Sequence, residues 1–155
     1  MLPKKFINVG EIHVAVKPTE IITILGSCVA VCLYDTRLNI SGMNHYLVPL
    51  WNGNGLESPK YGNISVEKLI EHVLDTGSKT HDLIAKVFGG ANINIKSAES
   101  LMIGKKNVII AEEILAKYRI KIVASDTGGN RGRRIMMQSD TGKIFLKYTS
   151  SSSGA

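Results

Sequence analysis

Two residues in this chain have the chemistry of a nucleophile and its base, Cys28 and His45. Cys28 sits on a glycine step, Leu25-Gly26-Ser27-Cys28-Val29, and His45 follows seventeen residues later in Gly42-Met43-Asn44-His45-Tyr46. A thiol needs a nearby base to act as a nucleophile at neutral pH, and imidazole is the side chain best suited to that task. Gly26 lets the backbone turn sharply, so that the Cys28 amide can face the place where an oxyanion would form. The second cysteine, Cys32, is the internal control: it lies in an apolar run with no glycine step and reads as a packing residue. The other histidines are weaker bases by position. His72 falls on the polar side of an amphipathic segment, His81 in a turn, and His13 outside any motif.

The elements that must hold this pair can be read from periodicity. Ile12, Val14 and Val16 alternate with Glu11, His13 and Ala15 as in a half-buried strand. Ile21 to Ile24 and Val29 to Tyr34 read as apolar strands on either side of Gly26, and Ile40 to Val48 as a further strand ending at Pro49. The loop Trp51 to Pro59, rich in Gly and Asn, is placed to rim the site. A helix is expected with Asn63 as its N-cap and Gly77 as its end, since Val66, Leu69, Ile70, Val73 and Leu74 share one face. Leu83 to Phe88 is a strand. Asn107 is expected to cap a second helix running to about Tyr118. Ile120 to Ala124 is a strand, followed by a glycine loop at Asp126 to Gly132 and a hairpin turning at Asp140-Thr141-Gly142. Many strands and two helices fit an α+β layered domain. One domain over residues 1–148 is expected, with a Ser-rich disordered tail at 149–155.

Composition bounds the alternatives. At 155 residues, 44% hydrophobic and 21% charged, the chain is an ordinary globular domain. The most apolar uncharged run, Ile21 to Tyr34, has 14 residues, against about 20 needed to cross a bilayer. Residues 1–6 are too short and polar for a signal core, and the two cysteines give no disulfide framework, so a cytoplasmic location is expected. The histidines have no metal-like spacing. The net charge is +6, and from Arg119 to Lys147 seven basic residues face only Asp126 and Asp140. Such a surplus is either a solvated face or a docking surface for an acidic partner. A nucleic-acid role would rest on charge alone, since aromatic content is only 6%.

Five ordered segments carry a family resemblance. Leu25 to Asp35, Gly42-Met43-Asn44-His45, Phe88-Gly89-Gly90-Ala91, Ile103-Gly104-Lys105-Lys106-Asn107 and Asp126 to Arg133 resemble segments of the chemoreceptor glutamine deamidases, the CheD family. The resemblance spans roughly residues 9 to 147. It implies a layered α/β/β/α sandwich of mixed sheets flanked by helices, similar to the catalytic domain of the cytotoxic necrotizing factor toxins. It implies a cytoplasmic enzyme that hydrolyses glutamine side chains on methyl-accepting chemotaxis receptors, with Cys28 as nucleophile, His45 as base and no cofactor. A threonine upstream of the cysteine, which orients the histidine in related enzymes, carries over to Thr23. It stands five residues before Cys28, whereas in some members it stands six before. The resemblance also admits a CheC-like phosphatase as a partner, and a rival reading in which the chain is a non-catalytic adaptor on receptors.

Overall fold

The computed structural model describes residues 1–93 and 97–149, and not the side chains of 98–101. Among the described residues, nine strands form two stacked mixed sheets. The four-stranded sheet has the order β1 (Lys4–Phe6), β3 (Glu20–Leu25), β8 (Arg133–Gln138), β9 (Lys143–Tyr148). The five-stranded sheet has the order β2 (Ile12–Ala15), β5 (Ile40–Asn44), β4 (Val29–Asp35), β6 (Leu83–Gly89), β7 (Lys121–Thr127). Helices α1 (Gly62–Leu74) and α2 (Ala98–Lys117) both lie against the five-stranded sheet. This is the α+β class expected, two mixed sheets flanked by helices. Among the described residues the layers run helix, sheet, sheet.

Period-two alternation explains the layering. Val29, Val31 and Leu33 of β4 point into an apolar core shared with Val66, Leu69, Ile70 and Val73 of α1 and Ala111 and Leu115 of α2. Ala30 and Cys32 point the other way, into a second core with Ile21, Leu25, Ile135 and Met137 of the four-stranded sheet. The central strand is buried on both faces, so it reads as an unbroken apolar run.

The two strands flanking Gly26 form as expected, but they do not pair with each other. β3 belongs to one sheet and β4 to the other, so the Gly26 step carries the chain across the sandwich. The three-residue edge strand β1 has no sequence signal, being fully exposed Lys-Lys-Phe. The long strand expected over 40–48 ends at Asn44, and beyond it come two isolated bridges, Val29–Tyr46 and Val48–Tyr61.

Both helix starts differ from expectation. Asn63 is not the N-cap of α1; the helix begins at Gly62, and Tyr61 precedes it without a side-chain cap. The first-turn amides of Gly62 and Asn63 instead donate to the carbonyls of Val48 and Pro49, so neighbouring backbone does what a cap would do. Asn63 Oδ1 is left free to accept from the Trp51 amide at 2.9 Å. Asn107 is not a cap either. It lies inside α2, nine residues past the start at Ala98, and is fully buried. Of the expected tail, Thr149 donates its amide to Gly132 O, and 150–155 lie outside the described residues.

Candidate active site

Cys28 sits between the Gly26 turn and β4, in a backbone clamped on both sides. Val29 and Tyr46 exchange both backbone hydrogen bonds, at 3.2 and 3.0 Å. In that antiparallel register Cys28 faces Leu47, and His45 stands two residues before Leu47. Each just outside its strand, Cys28 and His45 are thus diagonal neighbours in that register, with Cα atoms about 7–8 Å apart in such pairs. Their side is turned away from the helices and toward the four-stranded sheet. Asn44 loosens the strand beside His45: its Oδ1 takes the Val31 amide at 2.6 Å in place of a backbone ladder bond.

The glycine segments form the support behind this pair. Gly90 donates its amide to Cys28 O at 2.9 Å, and Ala91 donates to Gly26 O at 3.0 Å. Gly89 has φ +109°, and a Cβ there would drive into the Cys28 carbonyl. Only glycine fits so close to the nucleophile's own backbone. One step further out, a Cβ on Gly104 of α2 would meet Gly90 O, which lets the helix axis approach the same turn. Phe88-Gly89-Gly90-Ala91 thus packs directly against the backbone that carries the thiol.

Asn107 is the residue that sequence reasoning misplaced. Its Nδ2 donates to Ser27 O and to Leu47 O, both at 3.0 Å, and its backbone carbonyl accepts the Tyr46 hydroxyl. It therefore touches the chain on both sides of the Cys28–His45 pair. Its place in Ile103-Gly104-Lys105-Lys106-Asn107 was the one available signal.

Thr23 reaches His45 from the opposite sheet. It lies on β3 with Ile21 and Leu25 on the inward face and is buried. Its Oγ1 is 2.8 Å from Ile7 O and 2.7 Å from His45 Nδ1. The hydroxyl has one proton, and the Ile7 carbonyl can only accept. The Thr23 hydroxyl therefore donates to Ile7 and accepts from His45 Nδ1–H. Nδ1 carries the imidazole proton, and Nε2 is left as the bare acceptor. That nitrogen is buried and has no hydrogen-bond partner among the described residues, the Cys28 thiol included.

Burial sets the protonation states. It pushes the Cys28 thiol up to about 11, partly offset by its own backbone amide, and the fully buried Cys32 up to about 12. Burial lowers His45 to about 4, against a small raising effect of Glu11. At neutral pH the pair rests as thiol and neutral imidazole. His72 and His81 are exposed, and His13 is half-buried on β2. A cleft of about 390 Å³ opens beside His45 and Thr23, walled by Phe6 to Val9 and Ile24. Among the described residues no cluster of His, Cys, Asp or Glu is arranged to hold a metal ion.

The basic quarter is less uniform than its charge count. Arg133 is 3% exposed and is not a surface charge. It pairs with Asp126 at 2.9 Å and donates to Gly128 O at 2.9 Å, while Gly128 N donates to Gly89 O. Tyr148 donates its hydroxyl to the same Asp126 at 2.6 Å. With these hydrogen bonds, Asp126 stays ionised below the usual carboxylate range despite partial burial. Arg133 braces the glycine loop behind Gly89. Arg131, Arg134, Lys143 and Lys147 remain exposed.

The fold and the site together define a layered α+β domain with a thiol, an oriented imidazole and a threonine converging between two sheets. Comparison with known proteins assigns the family. Residues 50–148 match the model of the CheD family, described as CheD chemotactic sensory transduction. The chain is 56% identical over 146 residues to the probable chemoreceptor glutamine deamidase CheD of Sulfurimonas denitrificans, covering 94% of each. It is 49% identical to the probable chemoreceptor glutamine deamidase CheD of Trichlorobacter lovleyi, over 92% of this chain and 89% of that one. The chemoreceptor glutamine deamidase CheD of Thermotoga maritima is 37% identical over 93% of this chain and 91% of its own. The chain belongs to the CheD family. No helix of the described residues is long and apolar enough to cross a membrane.

Proposed function

We propose that this chain deamidates glutamine side chains of chemotaxis receptors, with Cys28 as nucleophile, His45 as general acid–base and Thr23 as the residue that orients His45. The observation that carries the reading is His45 Nε2. A buried acceptor left unpaired costs about 1–3 kcal/mol. The fold leaves this one bare, on the segment whose register opposes that of Cys28, while it anchors the other ring nitrogen. An adaptor that signals by occupancy has no use for such an arrangement. The names of the relatives supply the substrate class: two are named probable chemoreceptor glutamine deamidases and one a chemoreceptor glutamine deamidase.

The chemistry runs in two acyl-transfer steps. As Sγ attacks the amide carbon, the thiol proton passes to His45 Nε2, and the carbonyl oxygen becomes an oxyanion. With the thiol near 11 and the imidazole near 4, a preformed ion pair is unfavourable. Proton transfer and attack therefore proceed together. Collapse breaks the C–N bond, and His45 gives its proton to the nitrogen, which leaves as ammonia. A water then loses a proton to Nε2 and attacks the thioester carbon. The C–S bond breaks, the sulfur recovers the proton, and glutamate remains.

The test uses a purified cytoplasmic receptor fragment, with ammonia release and the amide-to-acid mass change read on the same sample. Wild type should convert glutamines, Cys28→Ala and His45→Ala should not, and Cys32→Ser should remain active. Activity in Cys28→Ala, or its loss in a folded Cys32→Ser, would overturn the assignment.

A further inference from the structure

Asn107 makes a contact that a structural role alone does not require. Asparagine is a poor residue inside a helix, where its side chain competes with the backbone, and burying it adds the need to satisfy an amide. Here the amide leaves its own helix altogether. Both Nδ2 protons go to carbonyls of another segment, Ser27 O and Leu47 O, which face each other across the Cys28 register position. The orientation of the amide is unambiguous, because a flipped side chain would set Oδ1 against two carbonyl oxygens.

The Ser27 carbonyl and the Cys28 amide belong to one peptide unit. Among the described residues there is no cis peptide bond, so in that planar unit the N–H points opposite to the C=O. Ser27 O is held toward α2 by Asn107. The Cys28 N–H is therefore held away from α2, toward its own sulfur and the space where substrate must sit. The next peptide unit is fixed as well, since Cys28 O accepts from Gly90 and Val29 N donates to Tyr46. Of these restraints, the only one on the Ser27–Cys28 unit that comes from a side chain is Asn107.

We infer that Asn107 is a positioning residue that aims the Cys28 backbone N–H as an oxyanion donor. It touches neither substrate nor the reacting atoms; it acts by preventing the Ser27–Cys28 peptide from rotating. This inference rests on the acyl-transfer reading of Cys28, but not on the identity of the substrate. Oxyanion donors act on charge that develops in the transition state, and removing one costs about 10²–10³ in rate. Releasing the orientation of one should cost less, about tenfold or more.

The test compares two reactions at the same sulfur. p-Nitrophenyl acetate acylates Cys28 through an oxyanion, with the thiol proton passing to His45 and p-nitrophenolate leaving. Iodoacetamide alkylates the same sulfur by displacement of iodide, with no oxyanion. In Asn107→Asp the donors become a carboxylate facing two carbonyls. The acylation rate should fall about tenfold or more while the alkylation rate stays near wild type. Asn107→Ala removes the donors without adding charge and carries the same comparison should Asn107→Asp not fold. Acylation unchanged in a folded variant would overturn the inference, as would equal loss in both reactions, which would mean a misplaced sulfur. Wild-type acylation no faster than that of Cys28→Ala would overturn it too. Because no receptor is present, a failed deamidation assay would remove the substrate assignment and leave this result standing.

Discussion

Replacing Thr23 by Val removes one oxygen and tests the whole logic of the imidazole. In the wild type, Thr23 Oγ1 lies 2.7 Å from His45 Nδ1 and 2.8 Å from Ile7 O, both in a buried environment. Valine is nearly the same size, so packing is preserved, but Nδ1–H and the Ile7 carbonyl each lose a partner. Each unpaired buried group costs about 1–3 kcal/mol. The ring can relieve its share by moving the proton to Nε2, the atom that must accept from the thiol. A preference of about 1.5–3 kcal/mol for the productive tautomer corresponds to roughly 10–100-fold in the active fraction. Turnover on a receptor fragment should fall by that factor. Thr23→Ser, which keeps the oxygen, should stay within about threefold of wild type. Nitrogen NMR of the labelled imidazole reads the cause directly: Nδ1 protonated in wild type and Thr23→Ser, Nε2 protonated in Thr23→Val. A Thr23→Val protein with wild-type turnover and a protonated Nδ1 would refute the reasoning.

Three further outcomes follow from the same structure. Iodoacetamide labelling of Cys28 should outpace that of the fully buried Cys32 and rise about tenfold per pH unit from 7 to 9, because the thiolate reacts and the thiol lies near 11; a plateau below pH 8 would show a stable ion pair instead. His45 is lowered from 6.5 to about 4 by folding, so between those values the unfolded chain binds a proton that the folded chain refuses. Stability should therefore decline as pH falls through that window, by about 3 kcal/mol at most, and urea titrations of His45→Gln should lack that component. Gly89→Ala places a Cβ at φ +109° against the Cys28 carbonyl; it should lower stability by about 2 kcal/mol or more, read as a reduced urea midpoint.

Cys28 and His45 stand out in the sequence because each lies in a short, ordered motif, and the motif order survives without knowledge of the fold. Thr23 lies outside those motifs and came only from the resemblance. The supports do not stand out. Asn107 was misread because asparagine at a plausible helix start looks like a cap; only the fold shows that α2 begins at Ala98 and that the side chain serves another segment. Arg133 was counted as surface charge because counting cannot see that Asp126 and Gly128 enclose it. The strands around Gly26 were legible from β-branched runs, but consecutive strands usually pair, and nothing local says that this turn crosses between sheets. The edge strand β1 has three residues and no buried face, so it offers no period to detect.

That crossing has a consequence for distant residues. Thr23 lies in one sheet and His45 directly follows β5 of the other, so the 2.7 Å bond that orients the imidazole spans the gap between two layers. The width of that gap is set by the side chains that fill it, among them Met43, Ile135 and Met137. Those residues act as a spacer for the reaction, as shims set the clearance between two plates. A smaller or larger side chain there changes the alignment of the proton-transfer pair without touching it. Turnover in this fold becomes a gauge of interior packing, sensitive to hydrophobic substitutions that would pass unnoticed in a site built on a single sheet.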